Sequence, residues 1–315
     1  MSRDLIVKDN RLITSKYHLS LTQIKFISFL SSHINRDDKE LFTYTFQINE
    51  ILKVLDIQRT NYKVLRVSLR QLMTKYVVIE DSEDMIFETT FLNHFKIDKK
   101  TDSIEIKLSS PLKPFLLELN SRFTKLSLSK ILGFSSQYSI RMYEIIESRV
   151  TIYEKYKNSH LLEFEYKIDK IKEILLGEYN GENKEVKIPK AYIKYNNFKR
   201  KVLDVAYLEL KEKGDYYFEY EPIKTGRSYT SIKFKIHKNA KKIKKDFHQK
   251  KKQILQNSTT KALAKEQIRR IIERQGDKVK DRLKYEQKLF QLYLKGELKF
   301  DKDIQMVIDN IVAIP

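Results

Sequence analysis

The chain has 315 residues, with 62 Lys and Arg against 42 Asp and Glu and a formal net charge of +20. That length accommodates about two ordinary domains, and the basic balance favours a polyanionic partner such as nucleic acid or an anionic membrane surface. No apolar run approaches the ~20 residues of a spanning helix, and no signal-type apolar segment follows Met1-Ser2-Arg3-Asp4, so a cytoplasmic protein is expected. With no Cys, the chain has no disulfides, thiolate nucleophiles or Cys-based zinc sites.

In chain order, Leu21 to Ile34 reads as a first helix. Phe46 to Leu55 reads as a second, with Ile48, Ile51 and Leu55 on one face and Asn49 as the expected N-cap. In a third, Arg59, Lys63, Arg66 and Arg70 fall at spacings of 4, 3 and 4 on one cationic stripe, while Leu65, Leu69 and Leu72 lie on another. Period-two alternation follows: Tyr76 to Glu80, an acidic turn Asp81-Ser82-Glu83-Asp84, Met85 to Thr89 and, after Lys99-Lys100, Ser103 to Leu108. The acidic turn is expected at the tip of the first wing, where phosphates would repel it. The neighbouring strand Met85-Ile86-Phe87 is therefore expected to make a protein contact.

The pattern then repeats. Ser136 to Ser148 reads as a helix, and Tyr166 to Leu175 aligns without gaps on Phe46 to Leu55 at an offset of 120, with Asp169 as its expected N-cap. Lys201-Val202-Leu203-Asp204-Val205 matches Lys63-Val64-Leu65-Arg66-Val67 at an offset of 138, which places an 18-residue insertion in the second copy. The corresponding outward stripe is Asn197, Lys201, Asp204 and Leu208, flanked by Arg200 and Lys211, with Phe198, Val202, Leu203, Ala206 and Leu210 left for the core. Asn can pair with adenine, Arg or Lys with guanine and Asp with cytosine, so this helix is expected to read bases, whereas the all-cationic first stripe suits phosphates and guanine. Tyr216 to Glu221 and Ser231 to Ile236 flank a tip, Lys224-Thr225-Gly226-Arg227, suited to phosphates or a minor groove.

Helix, helix, helix, hairpin, twice over, predicts an α+β fold of two tandem winged-helix (helix-turn-helix plus β-hairpin wing) domains at 1–125 and 126–237. A basic, mainly helical C-terminal extension follows at 238–315. Within it, Lys238 to Lys252 holds eight Lys against one acid, Asp246, and reads either as a solvated linker or as an arm tracking a nucleic-acid backbone. Lys261 to Arg274 and Lys278 to Leu294 read as helical. The six His, at 18, 33, 94, 160, 237 and 248, include no His-hydrophobe-His pair, and no Gly-rich loop ends in Gly-Lys-Ser/Thr. No catalytic residue, metal or cofactor is expected.

The sequence resembles the iteron-binding plasmid replication initiators of the Rep family with two winged-helix domains. The resemblance covers roughly residues 5 to 237. It rests on Leu21-Thr22-Gln23, on Ile97 to Ile106 as a hairpin, and on Phe123-Thr124-Lys125-Leu126 ahead of Ser136 to Glu144. It rests most on Phe198-Lys199-Arg200-Lys201-Val202-Leu203-Asp204 followed by Gly226-Arg227-Ser228. It implies a non-enzymatic initiator that binds direct repeats in a plasmid origin, helps to melt adjacent A·T-rich DNA and recruits the host initiator and replicative helicase. It also implies a homodimer in equilibrium with monomer, the dimer repressing its own promoter at an operator inverted repeat and controlling copy number, with the first winged helix contributing to dimerisation. The DNA-binding set expected is Arg59, Lys63, Arg66, Arg70, Asn197, Lys199, Arg200, Lys201, Asp204, Lys224, Thr225, Gly226 and Arg227. The residues themselves leave open a winged-helix transcriptional regulator without origin function, and a nuclease or polymerase-type replication enzyme. Residues 238–315 lie outside the resemblance.

Overall fold

Apolar periodicity partitions the chain into the elements of the computed structural model. It describes residues 4–35, 38–41, 43–59, 62–81, 85–117, 119, 122–180 and 185–240 and, beyond these, 242–243, 261–262, 264–269, 282–295 and 298. The first series is β1 (Leu5–Asp9), α1 (Asn10–Ile13), α2 (Leu21–Ser31), β2 (Thr43–Gln47), α3 (Ile48–Val54), α4 (Tyr62–Leu72), β3 (Tyr76–Asp81), β4 (Ile86–Thr90), β5 (Leu92–Asp98) and β6 (Ser103–Leu108). A short α5 (Lys113–Leu116), β7 (Phe123–Ser127), α6 (Leu128–Gly133) and α7 (Gln137–Tyr156) lead to the second series. That series is β8 (Glu163–Lys167), α8 (Ile168–Leu176), β9 (Glu178–Asn180), β10 (Glu185–Lys187), α9 (Tyr195–Phe198), a π-helical turn (Lys199–Leu203), α10 (Asp204–Lys213), β11 (Tyr216–Thr225) and β12 (Ser228–Lys238). No described helix is long and apolar enough to cross a membrane.

Two sheets carry the same plan. In the first, β6 lies between β2 and β5, with Phe46 opposite Ile104; in the second, β12 lies between β8 and β11, with Tyr166 opposite Ile232. Each sheet closes over three helices: α2, α3 and α4 in one case, α7, α8 and the α9–α10 run in the other. Ile48, Ile51 and Leu55 of the first copy and Ile168, Ile171 and Leu175 of the second are all buried, as their spacing requires. The helices begin earlier than expected, with the N-cap position two residues before Asn49 and Asp169. α3 and α8 begin at Ile48 and Ile168, so Asn49 and Asp169 lie inside the first turn and neither Gln47 nor Lys167 caps with its side chain. In α3 the wing strands do that work: the Ile48 N–H donates to the Asp102 carbonyl at 3.0 Å.

Among the described residues, each copy also carries a hairpin the other lacks. The 18-residue insertion expected in the second copy holds β9 and β10, between α8 and α9. The first copy has its own insertion, β3 and β4, between α4 and β5, paired as a separate two-stranded sheet. The insertions meet where the Tyr76 and Tyr179 rings contact edge to face at 5.6 Å.

The winged helices share one continuous apolar core. β1 crosses to pair with β7, Leu5 opposite Ser127, so the expected division at 125/126 falls inside this two-stranded ribbon. A buried ionic cluster lies at the junction. Glu144 on α7 accepts from Lys8 of β1 at 2.6 Å and from Arg141 at 2.9 Å, and all three side chains are at most 3% exposed. Arg141 also donates to the Ser15 and Ile174 carbonyls and to the Tyr17 hydroxyl, with its guanidinium 3.9 Å over the Tyr17 ring. Burial raises the Glu144 pKa, but the two cations prevail and hold the carboxyl below its ordinary range. Burial likewise pushes the Tyr17 phenol upward, so it stays a neutral partner.

Met1–Asn239 forms one compact unit and Ala240–Pro315 a second. In the second, α11 (Arg282–Lys295) buries Leu289 and Tyr293 in a small cluster with Ala264 and Ile268. Most of the lysine-rich stretch from Lys238 to Lys252 lies outside the described residues.

Candidate nucleic-acid interface

Helix α4 separates its faces as the sequence requires. Leu65, Leu69 and Leu72 are buried at 1% exposure or less, while Lys63, Arg66 and Arg70 are exposed on the other side. Arg59 departs from the expected stripe, because α4 begins only at Tyr62. Its guanidinium instead grips the Asp102 carboxylate through two hydrogen bonds of 2.7 and 2.8 Å and also reaches Asn49. Asp102 is held below the usual carboxylate range by this Arg59 bond. A bidentate clamp thus ties the turn before α4 to the tip of the β5–β6 hairpin.

That hairpin is the first wing, which corrects the expectation that the acidic turn forms the wing tip. β6, not β3 or β4, pairs with β2, as β12 pairs with β8. The first wing tip is therefore Asp98-Lys99-Lys100-Thr101-Asp102. There the Asp98 carboxylate accepts from the backbone N–H groups of Lys100 and Thr101 at 2.8 and 3.3 Å, and both lysines are exposed. The acidic stretch belongs to the β3–β4 insertion, where Ser82, Glu83 and Asp84 lie outside the described residues. Phe87 of that insertion packs against Phe115 at 5.5 Å, whereas Met85 and Ile86 are 54% and 63% exposed.

In the second copy α9, the π-turn and α10 form one continuous helical run. Phe198, Val202, Leu203, Ala206 and Leu210, the five residues assigned to the core, are all 0% exposed. The π-turn carries Arg200 and Lys201 side by side on the exposed side while Val202 and Leu203 stay buried. Asn197 and Lys199 are half-buried. Asp204 is committed inside the protein: its carboxylate accepts from the Lys199 ammonium at 3.0 and 3.2 Å and from the Tyr220 hydroxyl on β11. Burial and the Asp204 bond together raise the Tyr220 phenol pKa, keeping that donor protonated. Asp204 therefore fixes helix to wing, as the Arg59 and Asp102 pair does in the first copy, but through a neutral phenol on the wing, with its counter-charge, Lys199, on the same helical run.

The second wing is longer and its tip is basic. Lys224, Thr225, Gly226 and Arg227 are all exposed, and the turn is made by Gly226 at φ +63°, where a side chain would be strained. The wing is anchored near the start of the reading helix: Tyr229 packs on Tyr195 at 4.6 Å, and the Lys224 ammonium sits 4.9 Å over the Tyr229 ring. Lys99 and Lys100 are the candidates that residue-by-residue reading missed. The family resemblance marked Ile97 to Ile106 as a hairpin and alternation its second strand, but only strand pairing identifies it as the wing.

Two equivalent helical runs, each with a wing pinned to it, define a tandem winged-helix protein. Residues 5–147 match the family described as initiator replication protein, WH1, and residues 183–236 match its companion, initiator Rep protein, WH2, together more than half of the chain. The chain belongs to the initiator Rep protein family. A replication initiation protein of Escherichia coli is 29% identical over 186 residues, covering 57% of this chain and 57% of that protein's length. The crystal structure of Pi initiator protein in complex with iteron DNA has a similar fold, with a TM-score of 0.56 and 18% identity over 75% of this chain and 98% of that one.

Proposed function

We propose that the protein is a cytoplasmic plasmid replication initiator that binds direct repeats (iterons) in an origin. The observation that carries this reading is the repeated one: each copy presents a helix with an apolar face in the core and exposed cations opposite, beside a wing whose tip exposes two cations, Lys99 and Lys100 in the first and Lys224 and Arg227 in the second. Family membership and the iteron DNA held by the structural neighbour support it. α4 and the α9–α10 run enter major grooves. Asn197, Arg200 and Lys201 supply base contacts, and Lys63, Arg66, Arg70, Lys99, Lys100, Lys224 and Arg227 engage phosphates or guanine. Arg59, Lys199 and Asp204 act from behind, holding the wings in place. Binding strains adjacent A·T-rich DNA toward melting and presents the protein to the host initiator and helicase. A dimer, joined through the β3–β4 insertion, represses the promoter at an inverted repeat. The protein acts without catalysis, metal or cofactor.

The test is a footprint on the DNA flanking the gene, repeated across salt concentrations. Protection of tandem direct repeats is expected, and with 6 to 10 phosphates engaged, affinity falls by roughly 10³ to 10⁵ between about 50 and 200 mM salt. Sequence-blind protection or a flat salt response overturns the reading. Protection of an inverted operator alone replaces it with a transcriptional regulator.

A further inference from the structure

Val67 and Val205 hold the same position in the internal repeat, 138 residues apart. At the same offset Leu65 and Leu203, and Leu72 and Leu210, are buried at 1% exposure or less, yet Val67 is 52% and Val205 38% exposed. With about 100° per residue, Val67 lies about 40° round the helix from Lys63 and opposite the leucines. A β-branched side chain there adds nothing to the core and forms helix less well than Lys, Arg or Ala. Val64 and Leu208 are also exposed, at 48% and 64%, but their repeat equivalents are the buried Val202 and the cationic Arg70, so the position of Val67 and Val205 is the one in these helices where an apolar side chain is exposed in both copies. In the major groove, the one apolar mark on a base edge is the 5-methyl group of thymine, which Lys, Arg and Asn cannot read by hydrogen bonding.

We propose that Val67 and Val205 are thymine readers, each packing on the methyl group of one thymine, so that the two helices specify T at equivalent places in their two half-sites. In the second copy the adjacent Asp204, held by Lys199 and Tyr220, fixes the turn that presents Val205. This inference rests on the DNA-binding reading above.

The experiment uses the full chain to select its preferred duplex from a random-sequence library. That duplex is then synthesised with dU replacing one dT at a time. One thymine per helix should lose about four-fold in affinity when its methyl group is removed, the ratio expected for one methylene-sized group left in water. Val67→Ala should abolish the dT preference at one of these positions and Val205→Ala at the other, with the salt dependence unchanged. Both exposed positions favour Ala in a helix, and circular dichroism confirms folding. Equal binding of dT and dU at every position, or a dT preference that survives both substitutions, overturns the thymine assignment. A selection that enriches no sequence overturns the DNA-reading proposal and this inference with it.

Discussion

Glu144→Gln probes the joint between the two winged helices. In the parent, one carboxylate faces two cations, Lys8 at 2.6 Å and Arg141 at 2.9 Å, with every side chain at most 3% exposed. The substitution leaves two buried cations without a counter-charge, and removing a partner from a buried pair costs about 3–5 kcal/mol. For a unit of this size each kcal/mol moves Tm by about 2–4 °C, so a drop of roughly 6–20 °C is expected. Lys8→Met has the opposite character, because it leaves Arg141 and Glu144 as a formally neutral pair. Its cost should be below about 1 kcal/mol, and adding it to Glu144→Gln should restore stability instead of lowering it further. Thermal and urea unfolding followed by circular dichroism measure all three proteins. The pH dependence has a definite sign. A carboxyl whose folded pKa is depressed contributes fully above its unfolded value of about 4.5 and loses that contribution as pH falls through the folded value. The gap between parent and Glu144→Gln should therefore narrow in acid. Equal losses from Lys8→Met and Glu144→Gln, or no loss from the latter, would refute this account of the cluster.

Asp102→Ala removes an acid beside the proposed phosphate track, so charge alone would tighten DNA binding. Release of Arg59 and the wing tip should instead weaken it, with the Arg59→Ala, Asp102→Ala double variant no worse than either single one in fluorescence anisotropy; tighter binding would exclude the clamp. Ile86→Glu, at a 63% exposed position, should shift dimers to monomers in sedimentation while the fold is retained. Phe87→Glu should destabilise the first winged helix, because its ring packs on Phe115. A folded Ile86→Glu protein that dimerises like the parent would remove this strand as the interface.

Much of the fold was legible because its signals are local. Leu65, Leu69 and Leu72, and the five core residues from Phe198 to Leu210, declare their buried faces by spacing alone. The two offsets, 120 and 138, likewise located an insertion that proved to be a hairpin. What escaped was non-local. Alternation announced three of the four strands between Tyr76 and Leu108 but could not say which of them pairs with β2, and so misplaced the first wing tip. The stripe through Arg59 assumed a helix reaching back to that residue, whereas Asp102, 43 residues away, holds it in the preceding turn. Asp204 had the right spacing for an outward residue, but Tyr220 on a strand formed later in the chain claims its carboxylate. The N-caps failed for a related reason: at Ile48 the backbone donor is satisfied by the wing's Asp102 carbonyl, while Asn49 sits two positions past the N-cap, where its side chain meets Arg59.

The Tyr76–Tyr179 contact joins the two inserted hairpins, neither of which has a counterpart in the other copy among the described residues. Whatever similarity the duplicated halves retain, neither is a portable module. A chimera that grafts one half onto a foreign partner keeps the shared scaffold but strands an insertion without the ring it leans on. The insertions add a contact to a joint that the buried Lys8, Arg141 and Glu144 cluster and the continuous core already make.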